Sequence, residues 1–503
     1  MKKIRPAAPL SVALSVGVLV ASCMSFSSGS SGGTGGSGDG NGGSTGTGGT
    51  ADTGGSTGSG GTSDTGGSPG TGGIVSTGGT PGTGGTPGTG GTPGTGGGAG
   101  KAGTGGTPGT GGTPGTGGAA GKPGTGGTPG TGGTSATGGT TGTGGTAALT
   151  GPCDVLASAG NPCVAAHSTV RALYGSYTGN LYQVCKGSFA AGPNSCKGTT
   201  MDIGVVTGGY ANAAAQDTFC SGGSCTISII YDQSPNGNHL KPTPSGGGAV
   251  ASADNPASAT ALPTTLNTHK VYGVSIATGM GYRAGCTGCG VAKATGTATG
   301  DQAETEYMVT SQNGKQAGNV EGCCFDYGNA ETDLHDDGAA TMEAVYFGGG
   351  VAWGTGSPGS RTNGPWVMAD LENGIFAGWQ NNQNQNISTN TPLKHNYVTG
   401  ILIGDSCTGK TGCAGTGSAY PNGRFALYGG DAQTGGLTTE WDGVRPTGYF
   451  PMKKQGSIIL GTGGDNSDSG TGQWFEGVMA SGAATLATCN AIQANIVAAG
   501  YGK

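Results

Sequence analysis

Apolar residues in the second half of the chain come in short runs punctuated by Gly, Asn and Asp at sheet-like intervals. "CTISIIYDQ", "MEAVYFGGG", "GPWVMADLE", "YVTGILIGD", "GRFALYGG" and "GSIILGTGG" are β-rich and read as strands. A helical period appears in two places. "PCVAAHSTVRALY" reads as a helix opened by Pro162, and Leu486, Cys489, Ile492 and Ile496 recur at steps of three and four before Gly500, which suits a cap. The predicted class is all-β: a β-sandwich of jelly-roll or concanavalin-like form with short flanking helices.

The same pattern divides the chain. Lys2, Lys3 and Arg5 precede an apolar stretch from Leu10 to Ala21, which reads as a signal peptide over residues 1–22. The stretch is shorter than the roughly 20 residues a bilayer requires, and no later run is longer, so no transmembrane helix is predicted. The small residues Val20, Ala21 and Ser22 ahead of Cys23 resemble a bacterial lipobox, in which the cysteine becomes an acylated mature N-terminus and a membrane anchor. An ordinary secretory signal that contains a cysteine is the alternative. Residues 23–148 are almost entirely Gly, Thr, Ser and Pro, with "GGTPGT" units in the middle. Too few apolar side chains are present to offset backbone ordering, so this stretch is expected to be a disordered tether whose ends lie roughly 60 Å apart. Residues 149–503 remain as one folded domain, long enough to bury about three quarters of its unfolded surface.

Charge excludes one class of partner. The net charge is −6 and the basic residues are scattered, so no nucleic acid is expected. A monomer is expected.

Of the 14 cysteines, most of those after Cys23 are spaced for local bridges in an exported chain: Cys153 with Cys163, Cys185 with Cys196, Cys220 with Cys225, Cys286 with Cys289, and Cys407 with Cys413. Cys286 and Cys289 form a lone CxxC with no second half to complete a zinc site. Cys489 falls on the inward stripe of the last helix as a buried thiol. Cys323 and Cys324 are then left for each other. Their bridge would close a ring across one peptide bond, with Cα atoms about 3.8 Å apart, below the usual range for disulfides. Such strain tends to sit at functional sites, and the sulfurs would present a flat, rigid surface to an apolar ligand face. Two free or separately paired cysteines are the alternative.

"GPCDVLASAGNPCVAAHSTVRALY", "AAAQDTFC", "IIYDQSPNGNHL", "GTATGD", "CCFDYGNAET", "MEAVYFG", "GPWVMADLENG" and "IILGTGGDNS" occur in this order. Together they resemble the catalytic domain of glycoside hydrolase family 54, the α-L-arabinofuranosidase B group, over essentially all of residues 151–503. The resemblance implies a β-sandwich enzyme that removes terminal non-reducing α-L-arabinofuranosyl groups from arabinan, arabinoxylan and related oligosaccharides with retention of configuration. It implies Glu372 as nucleophile, Asp465 as general acid/base, and the Cys323–Cys324 disulfide and Trp353 as walls of the sugar pocket. It further implies Asp370, Asn373 and the Gly464 backbone as sugar contacts. No metal or cofactor is implied.

Retention needs two carboxyl groups about 5 to 5.5 Å apart, one attacking the anomeric carbon while the other protonates the leaving oxygen and later activates water. Glu372 is therefore expected to be ionised and Asp465 protonated, with the charge on Glu372 helping to raise the pKa of Asp465. If "WVMADLE" is one strand, Asp370 and Glu372 share a face by its two-residue period. A rival reading is a non-catalytic carbohydrate-binding or adhesive surface protein on the same scaffold, against which the two intact carboxylates weigh.

Other motifs carry less. "DNSDSGTGQWFE" has EF-hand-like offsets, but Ser replaces two usual ligands and helices do not flank it. "IGDSCTG" only faintly resembles a lipase block, and the five histidines, His167, His239 and His335 among them, lack HExxH spacing and read as structural. Two departures from the family stand out. The chain stops after the catalytic domain's last helix, where typical members continue into an arabinose-binding β-trefoil, so weaker avidity for polymer is expected. Gly374 stands where members often carry a second Asn.

Overall fold

The computed structural model describes residues 149–311, 324–348, 364–384, 390–407, 420 and 422–503. No helix among them is long and apolar enough to cross a membrane.

The domain is β-rich, with two seven-stranded antiparallel sheets, smaller sheets and three short helices among the described residues. The first sheet runs in the order Cys163–Ser168, Gly472–Ser481, Glu304–Ser311, Tyr397–Asp405, Arg424–Asp431, Leu437–Val444, with Val274–Ile276 also pairing with Gly472–Ser481. The second runs Ile375–Phe376, Trp366–Asp370, Glu343–Gly348, Asp326–Ala330, Ser457–Leu460, Tyr282–Ala284, Lys241–Pro242. Each of the six runs read as strands from their apolar pattern contains a strand.

Side-chain alternation explains how the second sheet is used. Val345, Phe347, Val367 and Ala369 join the large core with Ile401, Ile403, Phe425 and Leu427 of the first sheet. Their neighbours Tyr346, Trp366 and Met368 form a separate cluster on the opposite face. The two-residue period thus splits one strand between two environments, and the outer face becomes available for a site.

Between the sheets lies a network of buried charge. Lys454 Nζ is 2.8 Å from Glu304 Oε1 of the first sheet and 2.5 Å from Glu343 Oε2 of the second. Arg445 reaches Glu343 at 3.0 Å and Asp301 at 2.6 Å. Ion pairs this deep hold only because each charge is answered by a partner.

The helix expected over "PCVAAHSTVRALY" is not formed. Cys163–Ser168 is instead a strand paired with Gly472–Ser481, and all six of its residues are buried. A sheet neighbour on one edge and cover on both faces outweigh a weak helical period here. The helix lies just upstream, at Pro152–Ser158, with Pro152 in its first turn and Cys153 bonded to Cys163. A further helix, Ala213–Cys220, has little apolar periodicity and is marked mainly by Asn212, whose side chain accepts from the Ala215 amide at 3.1 Å. The last helix, Leu486–Ala499, buries Cys489, Ile492 and Ile496 and ends on Gly500 with φ 75°. Leu486, read as part of its stripe, is exposed.

Disulfides link Cys153–Cys163, Cys185–Cys196, Cys220–Cys225 and Cys286–Cys289. Cys324 and Cys407 are also disulfide-bonded, while Cys489 is a buried free thiol. Cys23, Cys323 and Cys413, and with them the proposed anchor and the Cys323–Cys324 and Cys407–Cys413 pairings, lie outside the described residues, as does Trp353.

Candidate active site

Residues on the outer face of the second sheet supply the floor of an acidic site. Asp370 sits opposite Ala344, Asp326 opposite Tyr346, and Arg283 opposite Ile459, so all three share the face turned away from the first sheet. The strand Trp366–Asp370 ends at Asp370, and the chain reverses at once into Ile375–Phe376, the Leu371 amide donating to the Gly374 carbonyl at 3.1 Å. The two residues at the tip, Glu372 and Asn373, have φ of 62° and 55°. Two successive left-handed residues make this a primed hairpin turn, for which Asn-Gly is the favoured pair and Glu a costly choice. The shared-face expectation for Asp370 and Glu372 is therefore corrected. Glu372 lies beyond the strand and is aimed by the turn, with its amide donating to Asp370 Oδ1 at 3.2 Å.

The turn is held from outside. Tyr449 donates to the Asn373 carbonyl at 2.9 Å, and Asn373 Nδ2 donates to Asp336 Oδ1 at 2.9 Å. A Cβ on Gly374 would fall 2.4 Å from the Phe376 ring and 3.0 Å from the Tyr449 hydroxyl. An asparagine there needs the space those rings occupy, which accounts for the glycine in this chain.

Asp465 comes from the loop after Ser457–Leu460. Its Oδ1 accepts from the Ser467 amide at 3.0 Å and the Ser467 hydroxyl at 2.6 Å, and its carbonyl accepts from Ala249. It is half-buried, whereas Glu372 is 7% and Asp370 3% exposed. Gly464 lies where the elements meet. A Cβ there would fall 1.8 Å from Glu331 Oε2 and 2.9 Å from Glu372 Oε2, so only glycine lets both carboxyl groups converge. Cys324 Sγ lies 3.5 Å from Asp370 Oδ2.

Charge in the site is poorly balanced. Burial first, then Glu331, Asp370, Asp465 and Asp336, push Glu372 up to about 11. Burial and the charge of Asp465 raise Asp370 to about 7 against the hydrogen bond from the Glu372 amide, and burial takes Glu331 to about 8. Burial and the adjacent Asp370 push Asp326 well up. Glu372, expected to be ionised, is itself the group that burial and its acidic neighbours push up. Protons on Glu331 and Asp370 remove two of the charges that push it up. Arg283, fully buried, is the cation facing this cluster, and its electrostatic partners include Glu331, Asp254, Asp465 and Glu372. It donates to the carbonyls of Glu331, Gly463 and Gly464 at 2.8, 2.6 and 2.9 Å, tying both sides of the site together.

Cys324, Asp326 and Asp370 lie close enough together to suggest metal ligands. The disulfide removes the thiolate, leaving two buried carboxyl groups that interact strongly with each other. This donor set fits a shared proton better than a divalent ion.

Glu372, Asp465, Asp370, Asn373, Gly464 and Cys324 are thus gathered in one region. Arg283, Glu331, Asp336 and Tyr449 were not read from sequence. Glu331 lies inside the motif "CCFDYGNAET", but Arg283 had no local signal.

Fold and site together define a β-rich domain with an under-neutralised carboxylate cluster on the outer face of one sheet. Residues 152–502 match the family described as "Alpha-L-arabinofuranosidase B, catalytic", and the chain belongs to that family. Similar proteins include an arabinofuranosidase/β-xylosidase of Trichoderma koningii, 47% identical over 70% of this chain and 63% of its own length. A probable α-L-arabinofuranosidase B of Aspergillus terreus is 48% identical over 70% of this chain and 62% of its own. The chain thus spans under two thirds of the length of these relatives. Among solved structures, an arabinofuranosidase complexed with arabinofuranosyl-α-1,2-xylobiose aligns with a TM-score of 0.58 at 42% identity, covering 70% of this chain and 65% of that one. A family 54 α-L-arabinofuranosidase soaked with a cyclic sulfate inhibitor aligns at 0.57 and 43%, covering 70% and 66%.

Proposed function

We propose that the domain is a retaining, exo-acting α-L-arabinofuranosidase that releases terminal non-reducing α-L-arabinofuranosyl groups from arabinan, arabinoxylan and related oligosaccharides. The observation that carries this reading is the convergence of Glu372 and Asp465, distant in sequence, on one buried acid cluster, with Glu372 held in a left-handed turn position. Glu372 attacks the anomeric carbon while Asp465 protonates the departing oxygen. Asp465 then takes a proton from water, which displaces Glu372 and restores the free enzyme. Asp370, Asn373 and the Gly464 backbone contact the sugar, and the Cys323–Cys324 disulfide and Trp353 wall the pocket.

The two large sheets form a sandwich of jelly-roll or concanavalin-like kind. The enzyme is exported, in keeping with its disulfides, with residues 1–22 as signal peptide and 23–148 as tether to the domain at 149–503. A lipid on Cys23 holds it, as a monomer, at a cell surface.

Release of nitrophenol from 4-nitrophenyl α-L-arabinofuranoside tests the catalytic assignment. Glu372→Gln and Asp465→Asn are each expected to lower kcat by at least about 100-fold with the fold retained. Wild type no faster than either variant would turn the case to a carbohydrate-binding protein.

A further inference from the structure

Glu331 has no task in the double displacement, yet its carboxyl faces the nucleophile. It directly follows the strand Asp326–Ala330 and is fully buried. The Thr341 hydroxyl lies against Oε1 and 2.6 Å from the Gly338 carbonyl, with one proton to share between them, and Oε2 has no hydrogen-bond partner. A Cβ on Gly464 would touch both this Oε2 and Glu372 Oε2, so the missing side chain leaves the two oxygens facing across one gap. Arg283 spends its terminal nitrogens on the carbonyls of Glu331, Gly463 and Gly464, tying these backbones together while leaving Glu331 Oε2 without a hydrogen-bond partner.

We infer that Glu331 is a positioning residue: a neutral acid whose Oε2–H points at Glu372 and holds the nucleophile ionised and aimed. This rests on Glu372 being the nucleophile. Oε1 has the Thr341 hydroxyl beside it, whereas an ionised Oε2 would be buried and unanswered, so a proton on Oε2 is the one that meets an unmet need and reaches toward Glu372. The rise of Glu331 to about 8 agrees. A donor to a carboxylate favours its charged form, so Glu331 offsets part of the upward push on Glu372. The charged or titratable groups around the pair are Arg283 on Tyr282–Ala284, Asp370 at the end of its strand, Asp336, Asp465 and Tyr449. During attack the charge leaves Glu372 and the bond weakens; when water displaces the enzyme, the charge returns and the bond re-forms.

The test is the pH profile of kcat/KM on 4-nitrophenyl α-L-arabinofuranoside for wild type, Glu331→Gln, Glu331→Ala and Thr341→Val, with Glu372→Gln alongside. Glu331→Ala is expected to move the acid limb up by about one pH unit, a loss of about tenfold at low pH. Glu331→Gln keeps an N–H toward Glu372 and is expected to hold the limb within about threefold of wild type. Thr341→Val, which frees the proton to sit on either oxygen, gives a smaller upward movement. Glu331→Ala with a wild-type limb, or Glu331→Gln displaced as far as Glu331→Ala, would overturn the inference. Should the alanine variant not fold, a wild-type limb in Thr341→Val does the same. Full activity in Glu372→Gln removes the catalytic reading itself; an inactive Glu372→Gln beside an unmoved Glu331→Ala limb removes this inference alone.

Discussion

Two clusters of buried carboxyl groups lie in one domain and differ in how far cations answer them. Between the sheets, Glu304, Glu343 and Asp301 meet Lys454 and Arg445 at ion-pair distance; those cations hold Glu343 below its ordinary pKa despite full burial, while burial still raises Glu304 beside it. On the outer face, Glu331, Asp370, Glu372, Asp465 and Asp336 crowd around a site faced by the guanidinium of Arg283, and Glu331, Asp370 and Glu372 are all pushed up. The inner cluster answers charge with charge and so cements two sheets. The outer one leaves its charge unanswered, which keeps protons available near pH 7 and makes proton transfer possible. Burial is common to both; the count and placement of cations separate them.

The largest test of that contrast is Lys454→Met. Removing the cation leaves Glu304 and Glu343 buried without it, and a loss of about 3 to 5 kcal/mol is expected in urea melts, with kcat/KM of the folded fraction unchanged. A loss under about 1 kcal/mol would place the inner cluster among ordinary surface pairs.

Asp370→Asn should have an intermediate effect of opposite sign. The folded pKa of Asp370, about 7, lies above its unfolded value. Its contribution to stability is therefore full below about pH 3.9 and is lost as the pH rises through the folded value. Glu343 is the reverse: its contribution is full above about pH 4.3 and is lost as the pH falls. Asp370→Asn is expected to flatten the decline in stability between pH 4 and 7 and to gain roughly 1 to 3 kcal/mol at pH 8, read from thermal melts across pH. A steeper decline would show that the charge of Asp370 is answered in the folded state after all, and that the outer cluster resembles the inner one.

Glu306→Gln should change least. Glu306 is fully buried, burial and its acidic neighbours push it well up, and its Oε2 has no hydrogen-bond partner. With its pKa pushed up in this way, it is expected to lose little as an amide, and a change within about 1 kcal/mol is expected in the same melts.

Much of the frame was legible in sequence because it depends on local chemistry. The apolar runs mark strands, close cysteine spacings match the four described bridges, and Gly500 ends the last helix with a positive φ. Cys163–Ser168 was misread because its weak helical period was outweighed by Gly472–Ser481, some three hundred residues away. Ala213–Cys220 was passed over because a short alanine-rich helix shows little periodicity. At the site, the motifs pointed to Glu372, Asp465, Asp370, Asn373 and Gly464, yet the face-sharing argument failed because the strand stops at Asp370 and the chain turns.

The sequence by itself determined which segments become strands, which cysteines are near enough to bridge, and which carboxylates are present for chemistry. Only the tertiary structure decided which acids meet a cation and which meet one another. Protonation depends on burial and on charges a few ångströms away through space, and the neighbours that set it here, Arg283, Glu331 and Lys454, come from separate stretches of the chain.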